Sequence, residues 1–193
     1  FVLGLRTVQW VDGEDSNNDG VPDNFADLAN NNPAEHYSGS VILTPQQTLP
    51  AGGTAGSLST TSVNFDNEGK VNLAVNYDEV GVISIAAQST YLNNTSVLGQ
   101  VDNVGRFAPS NFSLTGNVVA ACTDSDGFNY FDQPINEVSF TLTALNQNGS
   151  RTVNYYRGFD KLTSLGLQVE HDGSLLDRLE NTNTISWLSL IHI

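Results

Sequence analysis

Val71-Asn72-Leu73-Ala74-Val75-Asn76-Tyr77-Asp78-Glu79-Val80-Gly81-Val82-Ile83-Ser84-Ile85-Ala86-Ala87 decides the fold class of this chain. Successive side chains of a strand point to opposite faces, so Val71, Leu73, Val75 and Tyr77 share one side and Asn72 and Asn76 take the other. Asp78-Glu79-Val80-Gly81 has the composition of a turn, after which Ile83, Ile85 and Ala87 resume the period of two. The pattern predicts two strands with one buried face each. Leu73, Val75, Ile83 and Ile85 are the predicted core.

Working outward, the same alternation recurs in short pieces. Phe1, Leu3 and Leu5 give residues 1–11 a strand with one buried face. Residues 12–27 are an acidic, Asn-rich loop, with one helical turn expected around Phe25-Ala26-Asp27-Leu28-Ala29. A strand is predicted over 37–43, a turn-rich connection over 44–56, a strand over 57–65 and a hairpin turn over 66–69. Tyr91-Leu92 is read as closing this first unit. Gly105-Arg106-Phe107-Ala108-Pro109-Ser110-Asn111-Phe112 is read as a joint, because Pro109 fixes its own φ and biases Ala108 towards extended backbone. Beyond it, Phe112-Ser113-Leu114, Phe128-Asn129-Tyr130-Phe131, the alternating Val138, Phe140, Leu142 and Ala144, and a return strand over 151–156 complete the reading. Short strands separated by polar turns predict an all-β fold of two tandem immunoglobulin-like sandwiches. The expected domains are 1–104 and 105–187.

Bulk properties narrow the function classes. Seven Lys and Arg against 21 Asp and Glu give a formal net charge of −14, the wrong sign for gripping a nucleic-acid backbone or an anionic membrane surface. No apolar run is long enough to span a bilayer as a helix, so membrane insertion is not expected of this stretch. The 193 residues contain no methionine, which predicts a piece of a longer protein with both sandwiches incomplete. Leu188-Ser189-Leu190-Ile191-His192-Ile193 resembles a translated sequencing adapter, and 188–193 is expected to be a non-native tail.

The strongest local motif is Asp15-Ser16-Asn17-Asn18-Asp19-Gly20-Val21-Pro22-Asp23. Oxygen-bearing side chains at alternate positions, followed by a glycine, can wrap a hard cation. Asp15, Asn17, Asp19 and Asp23 would supply side-chain oxygens and Val21 its carbonyl, making Ca2+ the expected ligand. Ala26 stands where a full EF-hand loop has a bidentate acid, so the stretch looks more like the loop of thrombospondin-type-3 or dockerin-like repeats. The alternative is a solvated acidic turn without metal.

Other chemistry is thin. Cys122 is the only cysteine, and His36 and His171 lie in unrelated turn-like contexts, so no nucleophile and base are paired in the sequence. Asp124-Ser125-Asp126-Gly127 is read as a loop. Trp10 and the cluster Phe128, Tyr130 and Phe131 could stack on sugars or could be core and rim of a sandwich. The expected protein is not an enzyme.

Three patches, in order, carry a family resemblance: Tyr77-Asp78-Glu79-Val80-Gly81 into Ile83-Ser84-Ile85-Ala86-Ala87; Val104-Gly105-Arg106-Phe107-Ala108-Pro109 with Phe112; and Cys122, Phe128-Asn129-Tyr130-Phe131-Asp132-Gln133-Pro134, Phe140-Thr141-Leu142-Thr143-Ala144 and Asn154-Tyr155. Together they resemble the C-terminal region of MshQ-like proteins of MSHA-type (mannose-sensitive haemagglutinin) type IV pilus biogenesis, over residues 37–165. The resemblance implies an exported protein of a Gram-negative bacterium, at the cell surface, outside it or in the periplasm. It implies pilus or cell-surface proteins as partners, and it supplies no catalytic residues. The expected role is a non-enzymatic structural or adhesive module; the alternative is a carbohydrate-binding β-sandwich with glycans as partners.

Overall fold

The computed structural model describes residues 1–19, 21–91, 95–122, 127–130, 133 and 137–162. In chain order the elements are β1 (Val2–Arg6), one 3₁₀ turn (Asp27–Asn30), β2 (Gly39–Leu49), β3 (Ser62–Phe65), β4 (Lys70–Ala74), β5 (Gly81–Tyr91), β6 (Thr95–Phe107), β7 (Asn111–Val119) and β8 (Glu137–Leu145). The fold is all-β. The residues fall into two compact units, one of Phe1–Ala108 and one beginning at Pro109.

The first unit is a sandwich of an antiparallel pair, β1–β4, and a four-stranded antiparallel sheet in the order β3-β2-β5-β6. Its core is built by period-two alternation. Val41 and Leu43 of β2, Val63 and Phe65 of β3, and Ile83 and Ile85 of β5 are buried, with Leu58, Val75 and Tyr77. Leu3, Leu5, Val71 and Leu73 of the opposite sheet are half-buried against them, while Asn72 and Asn76 face solvent. Leu73 is therefore at the margin of the core, while Val75, Ile83 and Ile85 lie inside it.

Four expectations change here. The stretch 44–56 is not all connection, because β2 continues through Pro45 to Leu49, paired with β5. Two residues earlier the Leu43 amide bonds the Thr61 carbonyl on the β3 side at 2.8 Å, and pairing with β3 stops there. The missing N–H of Pro45 therefore removes no ladder bond, the condition under which a strand tolerates proline. The strand expected over 57–65 shrinks to β3, with Leu58 making an isolated bridge to Tyr77. The turn at 66–69 joins β3 to β4, which belong to different sheets, so it crosses the sandwich and is not a hairpin. Finally, the unit does not close at Tyr91-Leu92: β6 adds a long edge strand.

Passage from β4 into β5 is fixed by one polar corner. The Tyr77 hydroxyl donates to Gln47 Oε1 at 2.6 Å and accepts from the Gly56 amide at 2.7 Å. Gln47 Nε2 donates in turn to the Val80 carbonyl at 3.1 Å and to the Leu49 carbonyl. Gly81 follows with φ of +146°, and a methyl group there would overlap the Gln47 amide and the Leu49 carbonyl. Only glycine fits. Burial, the largest influence, raises the Tyr77 phenol above the usual tyrosine value; the Gly56 hydrogen bond opposes it, and Glu79 and Asp78 add to it.

The second unit pairs β7 with β8 from Asn111↔Leu145 to Val119↔Glu137. Leu142, Ala144 and Phe159 are buried with Thr152 and Asn154, and the Phe112 and Tyr155 rings meet edge to face at 5.4 Å. Val138 breaks the expected alternation by being 45% exposed. The return strand expected over 151–156 reduces to one bridge, Leu145↔Arg151, after a turn in which Asn146 Oδ1 accepts the Asn148 and Ser150 amides.

Two outcomes follow from this packing. Ile83→Ala, at a site with 0% exposure, should lower the unfolding free energy by about 2–5 kcal/mol in urea titrations, and Leu73→Ala should cost less. Equal losses would move Leu73 into the core proper. Tyr77 has a folded pKa above its unfolded one, so its contribution is fully present below about pH 10 and fades as pH rises through the folded value. Tyr77→Phe leaves Gly56 and Gln47 without that partner and should cost about 1–3 kcal/mol at neutral pH. It should also flatten the alkaline fall of the melting temperature above about pH 10; an unchanged fall would mean that other groups cause it.

Candidate functional site

The acidic excursion between β1 and β2 is fastened in four places. Gln9 N–H bonds the Asn32 carbonyl at 2.8 Å, and Ala34 N–H bonds the Thr7 carbonyl at 3.0 Å. Asn31, which is buried, donates from Nδ2 to the Gln9 carbonyl at 3.1 Å and to Glu14 Oε2 at 2.7 Å. Arg6 reaches across to the carbonyls of Leu28 (3.3 Å) and Ala29 at the end of the 3₁₀ turn. The Leu28 carbonyl also accepts the Asn31 amide at 3.3 Å, so Arg6 adds a second donor there at the C-terminal end of the turn.

Within this frame the five predicted ligand residues come together in one loop. The Asp19 amide donates to Asp15 Oδ1 and to Asn17 Oδ1, both at 3.1 Å. Asp19 Oδ1 accepts from the Val21 amide at 2.8 Å, and Asn17 Nδ2 donates to Asp19 Oδ2 at 2.9 Å. Asp23 folds back so that Oδ2 accepts the Ser16 amide at 3.1 Å, while its own amide bonds the Glu14 carbonyl at 2.8 Å. Asn18 takes the left-handed conformation, φ +58°, that an asparagine tolerates. The donor set is entirely oxygen, the chemistry that a hard cation such as calcium requires. The carboxylates of Asp15, Asp19 and Asp23 are each engaged by a backbone amide. Among the described residues no group of three or more His, Cys, Asp or Glu stands close enough together to hold a metal ion. The loop thus places the five expected ligand residues in order without converging them on one point.

Beside this loop, and unforeseen from the sequence, lies an apolar groove of about 240 Å³ lined by Val8, Gln9, Trp10, Pro22, Leu28, Ser96, Val97 and Leu98. Trp10 is 55% exposed at its wall. The other aromatic candidates are also at the surface: Phe128 is 47% and Tyr130 66% exposed, their rings edge to face at 5.1 Å. Phe131 lies outside the described residues, as do Asp124, Ser125, Asp126, His171 and the stretch 188–193. Cys122 is free and half-buried, bridged through its backbone to Phe128.

Comparison with known proteins fits this architecture. A family model described as the third domain of DUF6701 matches residues 79–192, more than half of the chain. The chain belongs to the DUF6701 family. A second model, the first Ig-like domain of this domain of unknown function, matches residues 26–101, from just before the 3₁₀ turn into β6. No curated protein and no solved structure matches the chain. Ig-like domains of this kind suggest a structural module.

Proposed function

We propose that this DUF6701 chain is a non-enzymatic structural or adhesive module of an exported protein, of the MshQ-like kind that accompanies MSHA-type pilus biogenesis. The observation that carries the reading is the match of residues 26–101 to an Ig-like domain, built here as a sandwich whose loops and edges, not its interior, are available for contacts. The order of the patches from Tyr77 to Asn154 supports the pilus connection, and the charge of −14 suits a soluble, repelling surface. A carbohydrate-binding module is the second reading, favoured by the exposed Trp10, Phe128 and Tyr130.

The test is made in the bacterium that encodes the chain. An epitope tag on the full-length protein should be open to protease outside the cytoplasm, and deletion should reduce pilus-dependent adhesion. A tag that stays cytoplasmic, with adhesion intact, would sink the proposal. A glycan array that selects one sugar, with binding lost in Tyr130→Ala, would favour the second reading.

Calcium belongs to the same proposal. Asp15, Asn17, Asp19 and Asp23 would hold it with the Val21 carbonyl, and the ion would remove repulsion among acids crowded into one loop. Without a bidentate acid the Kd should be on the order of 10⁻⁴–10⁻³ M, as in extracellular modules. Millimolar calcium should raise the melting temperature of the wild type and not of Asp19→Ala. Equal responses would leave the loop a solvated turn.

A further inference from the structure

One open sheet edge lies beside the groove. In the four-stranded sheet β6 pairs only with β5, and among the described residues nothing pairs with its other edge. The two halves of β6 differ. Between Val101 and Phe107 the register with β5 slips twice, where Asn103 (φ +57°) and Gly105 (φ +109°) take left-handed backbone. Such bulges twist an edge away from further pairing. From Thr95 to Val101 the register is regular, one residue against one, from Tyr91 to Ile85. Val97 and Val101 are 45% and 42% exposed on this regular half. Ser96, Val97 and Leu98 are also the residues of β6 that line the groove, opposite Val8, Gln9 and Trp10.

The charge around this edge names the occupant. Glu14 is tied through Asn31 to the carbonyl of Gln9, Asp23 follows Pro22, and Asp27 precedes Leu28, so three acids adjoin groove-lining residues. Of the two cations paired across β1 and β4, Arg6 is directed at the carbonyls of Leu28 and Ala29, and Lys70 stands opposite it on β4. A second copy of the chain would bring another net charge of −14 to an acidic rim. At about 240 Å³ the groove is below the roughly 300–1,000 Å³ of small-molecule sites and suits an anchoring side chain.

We propose that this groove and the regular half of β6 receive an extended, basic segment of a partner protein, which adds as a strand along residues 95–101 and places an apolar side chain against Trp10. Main-chain bonds along the edge would give affinity, the groove would choose alternate side chains, and the acidic rim would demand Lys or Arg. The proposal rests on the structural-module reading and names the class of its partner.

The test selects a phage-displayed library of random twelve-residue peptides on the whole 193-residue chain. Enriched sequences should alternate apolar residues with others and carry Lys or Arg. A synthetic copy of the winner should bind in calorimetry, bind less well as salt rises, and lose affinity when alternate backbone amides are N-methylated. Trp10→Ala, at an exposed site that leaves the core untouched, should weaken binding about tenfold or more. The proposal is overturned by acidic winners, by no enrichment in repeated selections, or by binding indifferent to Trp10→Ala or to N-methylation. It is equally overturned if sedimentation shows a dimer that Trp10→Ala dissolves, or if a glycan occupies the groove instead. Peptide binding is read on the isolated chain and surface exposure on cells, so either reading can fail without the other.

Discussion

The sandwich depends on how a buried phenol is satisfied. Tyr77 is 9% exposed, yet its hydroxyl both gives and takes a hydrogen bond, to Gln47 and from Gly56. An unpaired hydroxyl in that position would cost a few kcal/mol, so the three segments that carry these groups must arrive together. They are the end of β2, the loop ahead of β3 and the step from one sheet to the other. Gly81, which has no side chain to obstruct Leu49 and Gln47, lets β5 start directly from that corner. Ile83 and Ile85 then enter the core with no exposed turn between. Polar fixation and apolar burial thus act on adjacent residues, and neither would position β5 alone.

The acidic excursion is held by a different logic. It contributes little to the core, but Asn31 is buried and anchors both Glu14 and the backbone of Gln9, just past the end of β1. Arg6 ties the far end of the excursion to the same strand. The loop is therefore local in its own hydrogen bonds and non-local in its attachment. Asp15, Asn17 and Asp19 keep a common geometry around one amide, while the frame decides which apolar residues, Pro22 and Leu28, face β6.

What was legible in the sequence follows from range. Alternation at 71–77 and 82–87 predicted the core face, because a strand repeats every two residues whatever it packs against, but not that Ser84, on the other face of β5, is buried as well. The hydrogen bonding within 15–23 is local too, since its side-chain oxygens and the amides they accept from are near neighbours in the chain. β6 was not legible, because Gly99, Asp102, Asn103 and Gly105 read as loop residues although most of them serve bulges. Pro45 hid the second half of β2, since only the tertiary pairing shows that its nitrogen faces no partner. The turn at 66–69 has hairpin composition, yet sheet membership is set by Val71 and Leu73 facing Leu3 and Leu5. The groove was out of reach altogether. It needs residues 8–10 beside 96–98, and no local pattern encodes such a meeting.

The uneven treatment of β6 has a physical consequence. A thirteen-residue edge strand that is regular throughout is a template for uncontrolled pairing, and a sandwich must blunt it or occupy it. Here bulges blunt the half near Phe107, where the rings of Phe1 and Tyr77 also pack at 5.4 and 5.0 Å. The other half carries exposed valines instead of the lysines or prolines that commonly guard an edge. What guards it is charge at a distance: acids next to the groove repel further copies of an already acidic chain. Such protection is selective by sign. On the proposed reading it would exclude like chains and admit basic ones, and this separates an edge kept for a partner from an edge left as a hazard.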